Sequence, residues 1–249
     1  MTKLKFNTQR YRTALVLALL LSACTALEAQ GIAVTNDTQS IQVVNLTVRV
    51  NGDSKKVELE LKNAGNSPLL GVTYLTNKDL FIATFGYGEE QSMTEYYLPK
   101  DRIAAGKVFK TTITGDLTMV QVTVGGAVFK DHDEGDPLLC ERIKADQAGM
   151  EARAKQLLAV LKDPSPGTLT ADEIAKLEAT IKALPDAAPS KKMSARGRRA
   201  FLYGQQTERE TVLQSIAELK KRMKVTELDR EDEYKYLRKH SAEVAEVLQ

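Results

Sequence analysis

The sequence predicts an α+β, multidomain chain, with an N-terminal antiparallel β-sandwich followed by a C-terminal helical bundle of three to four helices. Three observations predict it. Between Gln39 and Phe129 apolar residues recur mainly at every second position, the spacing of a strand with one buried face. After Asp136-Pro137 the spacing lengthens to about 3.6 residues, the period of a helix. The charge also changes character there: residues 24–136 hold ten basic and fifteen acidic side chains, residues 137–249 twenty-one and eighteen. A shift of that kind marks two units.

Residues 1–23 read as a signal peptide. Lys3, Lys5, Arg10 and Arg12 form a basic start, and Ala14 to Leu21 an apolar run too short to remain as a membrane span. The run ends in Leu21-Ser22-Ala23-Cys24, which resembles the lipobox of bacterial lipoproteins. The resemblance implies that the Cys24 thiol is diacylated, that the peptide before it is removed, and that the mature protein begins at Cys24. Several acyl chains on one residue hold a protein to a membrane lastingly, where a single chain does not. Thr25 follows the cysteine where an inner-membrane retention signal would place aspartate, so the resemblance implies an exported envelope protein at the outer membrane. Ordinary cleavage after Ala26 or Ala29 is the alternative, and it would release a soluble periplasmic or secreted protein.

Residues 24–38 read as a tether and residues 39–136 as the sandwich. Val44, Leu46, Val48 and Val50 alternate with Asn45, Thr47 and Arg49. Asn51-Gly52-Asp53 makes a turn, and Val57, Leu59 and Leu61 repeat the alternation as the second arm of a hairpin. Asn63 to Pro68 forms a loop. Strands are expected at Leu70–Leu75, Phe81–Phe85, Ser92–Leu98, Lys107–Ile113 and Leu117–Phe129, with a turn at Gly86-Tyr87-Gly88. About seven short strands at such spacing predict a sandwich. The stretch Val57 to Val72, with its Asn-x-x-x-x-Pro loop, is similar to the immunoglobulin-like modules of exported bacterial proteins. The core Trp and cysteine pair of antibody domains are missing, so the resemblance covers architecture and implies no activity.

Residues 137–249 read as the helical region. Cys140, Ile143, Met150, Ala154, Leu157 and Leu161 mark a first helix, with Asp136 as its cap and Pro137 in its first turn. Asp163 to Gly167 ends it. Thr170 and Glu173 match a capping box opening a second helix with Ile174, Leu177, Ile181 and Leu184. A third is expected from near Ser190 to Met223, along Val212, Ile216 and Leu219. Asp229 caps a fourth, bearing Tyr234, Leu237, Val244 and Leu248. The stripes are short and their register breaks, which excludes one long coiled coil. Packing within one chain and pairing between chains both stay open.

Composition narrows the function classes. Without residues 1–23 the chain carries 31 basic and 33 acidic side chains, which argues against a nucleic-acid binder. Only His132 and His240 are present, and no phosphate loop, nucleophile elbow or dinucleotide fingerprint is complete. The reading is therefore a non-catalytic, cofactor-free envelope lipoprotein with a protein partner. A soluble ligand-binding protein and an Asp/Glu-dependent hydrolase are the alternatives. Three further groups are candidates for sites. Asp131, Asp133 and Asp136 are oxygen ligands of the kind calcium takes, although Gly135 and Arg142 break the EF-hand pattern. Tyr96 and Tyr97, with Tyr87, offer an aromatic platform. Lys191, Lys192, Arg196, Arg198 and Arg199, beside Phe201 and Leu202, form a basic stretch suited to anionic headgroups or an acidic partner.

Overall fold

The computed structural model describes residues 27–29, 31–76, 92–96, 102–162 and 164–245. In chain order its strands are β1 (Leu27–Ala29), β2 (Ile32–Asn36), β3 (Ile41–Asn51), β4 (Ser54–Asn63), β5 (Leu69–Thr76), β6 (Ser92–Tyr96), β7 (Val108–Asp116), β8 (Gln121–Phe129) and β9 (Asp133–Gly135). Its helices are α1 (Pro137–Val160), α2 (Ala171–Lys182), α3 (Ala195–Arg222) and α4 (Arg230–Ala245). The expected strand at Phe81–Phe85, the turn at Gly86–Gly88, and Leu98, Asp163 and Leu248 lie outside the described residues.

One sheet is antiparallel in the order β3-β4-β7. The β3–β4 hairpin turns at Asn51-Gly52-Asp53, where Gly52 adopts φ of 59°, a conformation open to glycine at little cost. The expected inward row from Val44 to Val50 is corrected at both ends. The ladder shifts between Val43 and Asn45, so Val44 is an extra residue that reverses the parity of β3. Ile41 points inward before this bulge and Leu46 and Val48 after it, while Val44 is 52% exposed and Val50, next to the turn, 63%.

The other sheet runs β1-β2-β8-β5-β6, with β9 beside the second half of β8. β2 pairs with β8 in parallel, a departure from an all-antiparallel arrangement. Residues 24–38, expected as a tether, contain both β1 and β2, and Ile32 and Val34 are fully buried. The alternation Ile32-Ala33-Val34-Thr35 is too short to stand out, but burying each of those two side chains stabilises by about 2 kcal/mol. Residues Leu117–Phe129, expected as one strand, begin instead with a turn. Asp116 Oδ1 accepts from the Thr118 amide at 2.9 Å, and the strand starts at Gln121.

The two sheets share one apolar core, in which Leu46, Val57, Leu59 and Ile113 meet Ile32, Val72, Tyr74 and Val124. A second apolar cluster takes residues from all four helices: Leu157 of α1, Ile174 and Leu177 of α2, Val212 and Ile216 of α3, and Leu237 of α4. The expected caps are present. Asp136 accepts from the Leu138 amide at 2.8 Å, and Thr170 and Glu173 form a reciprocal capping box. The third helix begins at Ala195 rather than near Ser190, because Ser194 caps it by accepting from the Gly197 amide. Lys191 and Lys192 therefore lie in the turn before it.

Sheet and helices meet at two bulges. Gly125 is the extra residue in β8 opposite Thr73 and Tyr74, and Leu70 the extra residue in β5. Each bulge leaves a carbonyl outside the ladder, and each carbonyl is satisfied from the α1 side: the Asp136 amide donates to Gly125 O at 2.9 Å and Gln147 Nε2 to Leu70 O at 3.1 Å. Leu139 packs directly over Gly125, where a Cβ would lie 2.7 Å from Leu139 Cδ1 and force that side chain to shift. α1 and α3 then cross at backbone contact. A Cβ on Gly149 would lie 2.0 Å from Phe201 O, and one on Gly204 2.1 Å from Asp146 O.

Candidate functional site

The acidic segment between β8 and α1 forms a clamp. Glu134 Oε2 accepts from the Gln39 and Ser40 amides at 2.8 and 2.7 Å, and Glu134 Oε1 accepts from the Ser40 hydroxyl. His132 stacks on Phe129 with ring centroids 4.7 Å apart and lies between Asp131 at 2.7 Å and Glu134 at 3.1 Å. The hydrogen bond to Asp131, then that to Glu134, raises the imidazole pKa above its ordinary value. Burial alone would raise the Glu134 pKa, but the bonds from Ser40 outweigh it and the net direction is down.

These contacts decide what the cluster can do. In a serine–histidine relay the imidazole must touch the hydroxyl it deprotonates. Here Glu134 stands between them and both ring nitrogens face carboxylates. The geometry is that of a structural tie, which joins the residues just before β3 to β9 across 94 residues of sequence. The three calcium candidates serve three different partners: Asp131 holds His132, Asp133 pairs with Lys144, and Asp136 caps α1. Among the described residues no three His, Cys, Asp or Glu side chains converge on a point.

Of the remaining expected residues, Leu21, Ser22, Ala23, Cys24, Tyr87 and Tyr97 lie outside the described residues, and Tyr96 ends β6. Cys140, the second cysteine, is buried against β8 and β9, with Sγ 3.2 Å from Glu134 O. Burial raises its thiol pKa, which makes it a poor nucleophile.

The basic stretch is brought together on one surface. Arg196, Arg198 and Arg199 occupy the first two turns of α3, and all five cations are exposed. Arg198 donates to Met193 O at 2.7 Å. Lys191, Lys192, Arg196 and Arg199 have no ion-pair partner among the described residues. Cations at a helix N-terminus oppose its dipole, and the first turn of α3 contains no acidic residue. Glu141 of α1 answers part of that need from the buried side, since its Oε1 accepts from the Ser194 amide at 2.8 Å and rests against Gly197. The bonds from Ser194 hold the Glu141 pKa below its ordinary value.

No protein-family model, curated protein or solved structure matches the chain.

Two departures alter the expected surface. Phe201, grouped with the basic residues by sequence, is 7% exposed and packs with Ala145 and Ala200, whereas Leu202 and Tyr203 are 42% and 62% exposed. Tyr203 was legible from its spacing, four residues after Arg199 and seven after Arg196, which puts all three on one helical line. The surface is also held in place by contacts no motif announces. Arg153, with no exposed surface, donates to Leu184 O and Pro185 O and pairs with Asp186, which Arg209 also contacts at 2.8 Å. Gln205 accepts from the Ala187 amide at 2.7 Å and donates to Ala187 O at 3.0 Å. The segment leading into the basic turn is thereby fixed to α1 and α3.

Proposed function

We propose that this chain is a non-catalytic lipoprotein of a bacterial envelope, anchored through Cys24 at the outer membrane and acting as a binding or assembly module with a protein partner. The motif Leu21-Ser22-Ala23-Cys24 carries the anchor, and the pairing of β1 with β2 from Leu27 through Ala29 bears on where cleavage can fall. Cleavage after Ala29 would remove that strand, whereas cleavage before Cys24, like cleavage after Ala26, keeps it. In this reading the two sheets with their common core constitute the immunoglobulin-like sandwich of residues 39–136, completed by β1 and β2. Residues 137–249 constitute a helical bundle closed within one chain, as the cluster drawn from all four helices supports. Binding of the protein partner falls to the sandwich and the helical region.

The test reads the mature N-terminus in the native host by mass spectrometry, with cross-linking to capture partners, for the wild type and for Cys24→Ala. An acylated N-terminal Cys24 with recurrent envelope partners is expected, and the variant should leave the membrane fraction. An unmodified N-terminus at Leu27 or Gln30 would overturn the anchor.

A further inference from the structure

The exposed side of α3 and the turn before it combine charge and apolar surface in a particular order. At 100° per residue, Arg198, Leu202, Arg199, Tyr203 and Arg196 fall within an arc of about 160°. The opposite arc, Gly197, Ala200, Phe201, Gly204 and Glu208, is buried. Lys191 and Lys192 extend the cationic end. The start of the helix thus presents a basic face with two exposed apolar side chains one turn beyond the cations, fixed against α1 by Glu141 and by the close crossing at Gly204.

We propose that this face docks on the surface of an anionic phospholipid bilayer, with Lys191, Lys192, Arg196 and Arg199 on headgroup phosphates and Leu202 and Tyr203 entering the headgroup boundary. Three observations support a bilayer. Lys191, Lys192, Arg196 and Arg199, exposed and without an ion-pair partner among the described residues, form the kind of basic cluster that anionic headgroups attract. An exposed Leu and Tyr set among cations is the composition of a helix lying in the interface plane. These four cations stand on a mature chain that is slightly acidic overall, so the attraction is local to this face. The docking extends the membrane-bound reading above but uses none of the residues that carry it, so acylation of Cys24 and docking through α3 can fail separately.

The experiment floats the full chain carrying Cys24→Ala with vesicles of phosphatidylcholine alone, and with vesicles containing about one-third phosphatidylglycerol, at about 0.05 M and 0.5 M salt. The comparison is with the same chain carrying Lys191→Glu, Lys192→Glu, Arg196→Glu and Arg199→Glu. Residues 1–23 are common to both chains, so the difference reads the α3 face. At low salt the reversed chain should bind anionic vesicles at least about 100-fold more weakly, since each cation near such a surface contributes several-fold. Leu202→Ser with Tyr203→Ser should weaken binding several-fold at both salt concentrations. Acidic residues favour a helix start, so loss of α3 cannot explain the loss of binding. Equal binding of both chains to anionic vesicles overturns the proposal. So does a charge reversal that leaves vesicle binding intact and removes a protein cross-link instead, which would assign the face to an acidic partner.

Discussion

His132 is held between Asp131 and Glu134, and that placement gives the sheet tie a pH dependence of definite sign. Its pKa in the folded chain lies above the ordinary value near 6.5, so the imidazolium adds stability that is complete below about pH 6.5 and is lost as the pH rises through the raised value. Asp131 and Glu134 are shifted the other way, and their contributions are lost as the pH falls through their lowered values. The tie is therefore strongest in mildly acidic solution. The histidine side chain is 41% exposed, so solvent screens the effect and the loss between about pH 6 and 8.5 should stay under about 1 kcal/mol. Urea unfolding across that range should show the decline in the wild type and a flatter profile in His132→Gln. Identical slopes would mean that the imidazole contributes nothing to the tie.

At the scale of elements, α1 and α3 join the apolar cluster along one stretch and elsewhere meet through small residues and polar groups. Gly149 and Gly204 let the backbones approach, and Arg153 and Gln205 on the same buried faces reach out to fix residues 184–187. Arg153 is fully buried, and desolvation, followed by the charge of Arg209, lowers its pKa against the pull of Asp186. A buried charge that loses its partner is costly, while an apolar side chain of similar volume in its place often is not. Asp186→Ala should thus destabilise by about 1–2 kcal/mol, the exposed carboxylate being partly screened by solvent, and Arg153→Met by less, measured by denaturant unfolding. The reverse order would mean that Asp186, which is 54% exposed, leaves Arg153 to its backbone acceptors at little cost.

For the molecule as a whole, Cys140 marks the joint between sheet and helices. It lies in a small cluster with Val128 of β8, Ile143 of α1 and the partly buried Leu70 of β5, beside the two bulges whose carbonyls α1 and its cap satisfy. An aromatic disulfide reagent should therefore label Cys140 in the native protein only as fast as this joint opens, and at least about 100-fold faster in denaturing urea. The urea dependence of native labelling should match that of global unfolding. Rapid labelling with little urea dependence would show that α1 lifts from the sheet on its own, and that the basic face of α3 moves with it.

Much of the architecture is legible in the sequence because the signals are local. The hairpin at Gly52, the Asp136 cap and the Thr170–Glu173 box each involve residues within a few positions of one another, and the change of apolar period at Asp136-Pro137 falls where strands give way to helices. So does the clustering of Lys191, Lys192, Arg196, Arg198 and Arg199. The tertiary structure decided what depends on distant partners. Ile32 and Val34 become a strand because β8, about 90 residues away, supplies a ladder and a core. One inserted residue at Val44 reverses which side chains of β3 face inward, a change invisible to a period count that treats every residue as one step. Arg153, Gln205 and Glu208 lie on buried helix faces, where an apolar stripe cannot show them, because the partners that hold them arrive only on folding: residues 184–187 for Arg153 and Gln205, and the Ser241 hydroxyl for Glu208. Composition marks the basic face, but Tyr203 replaces Phe201 on it because α1 covers one side of α3 and leaves the other to solvent.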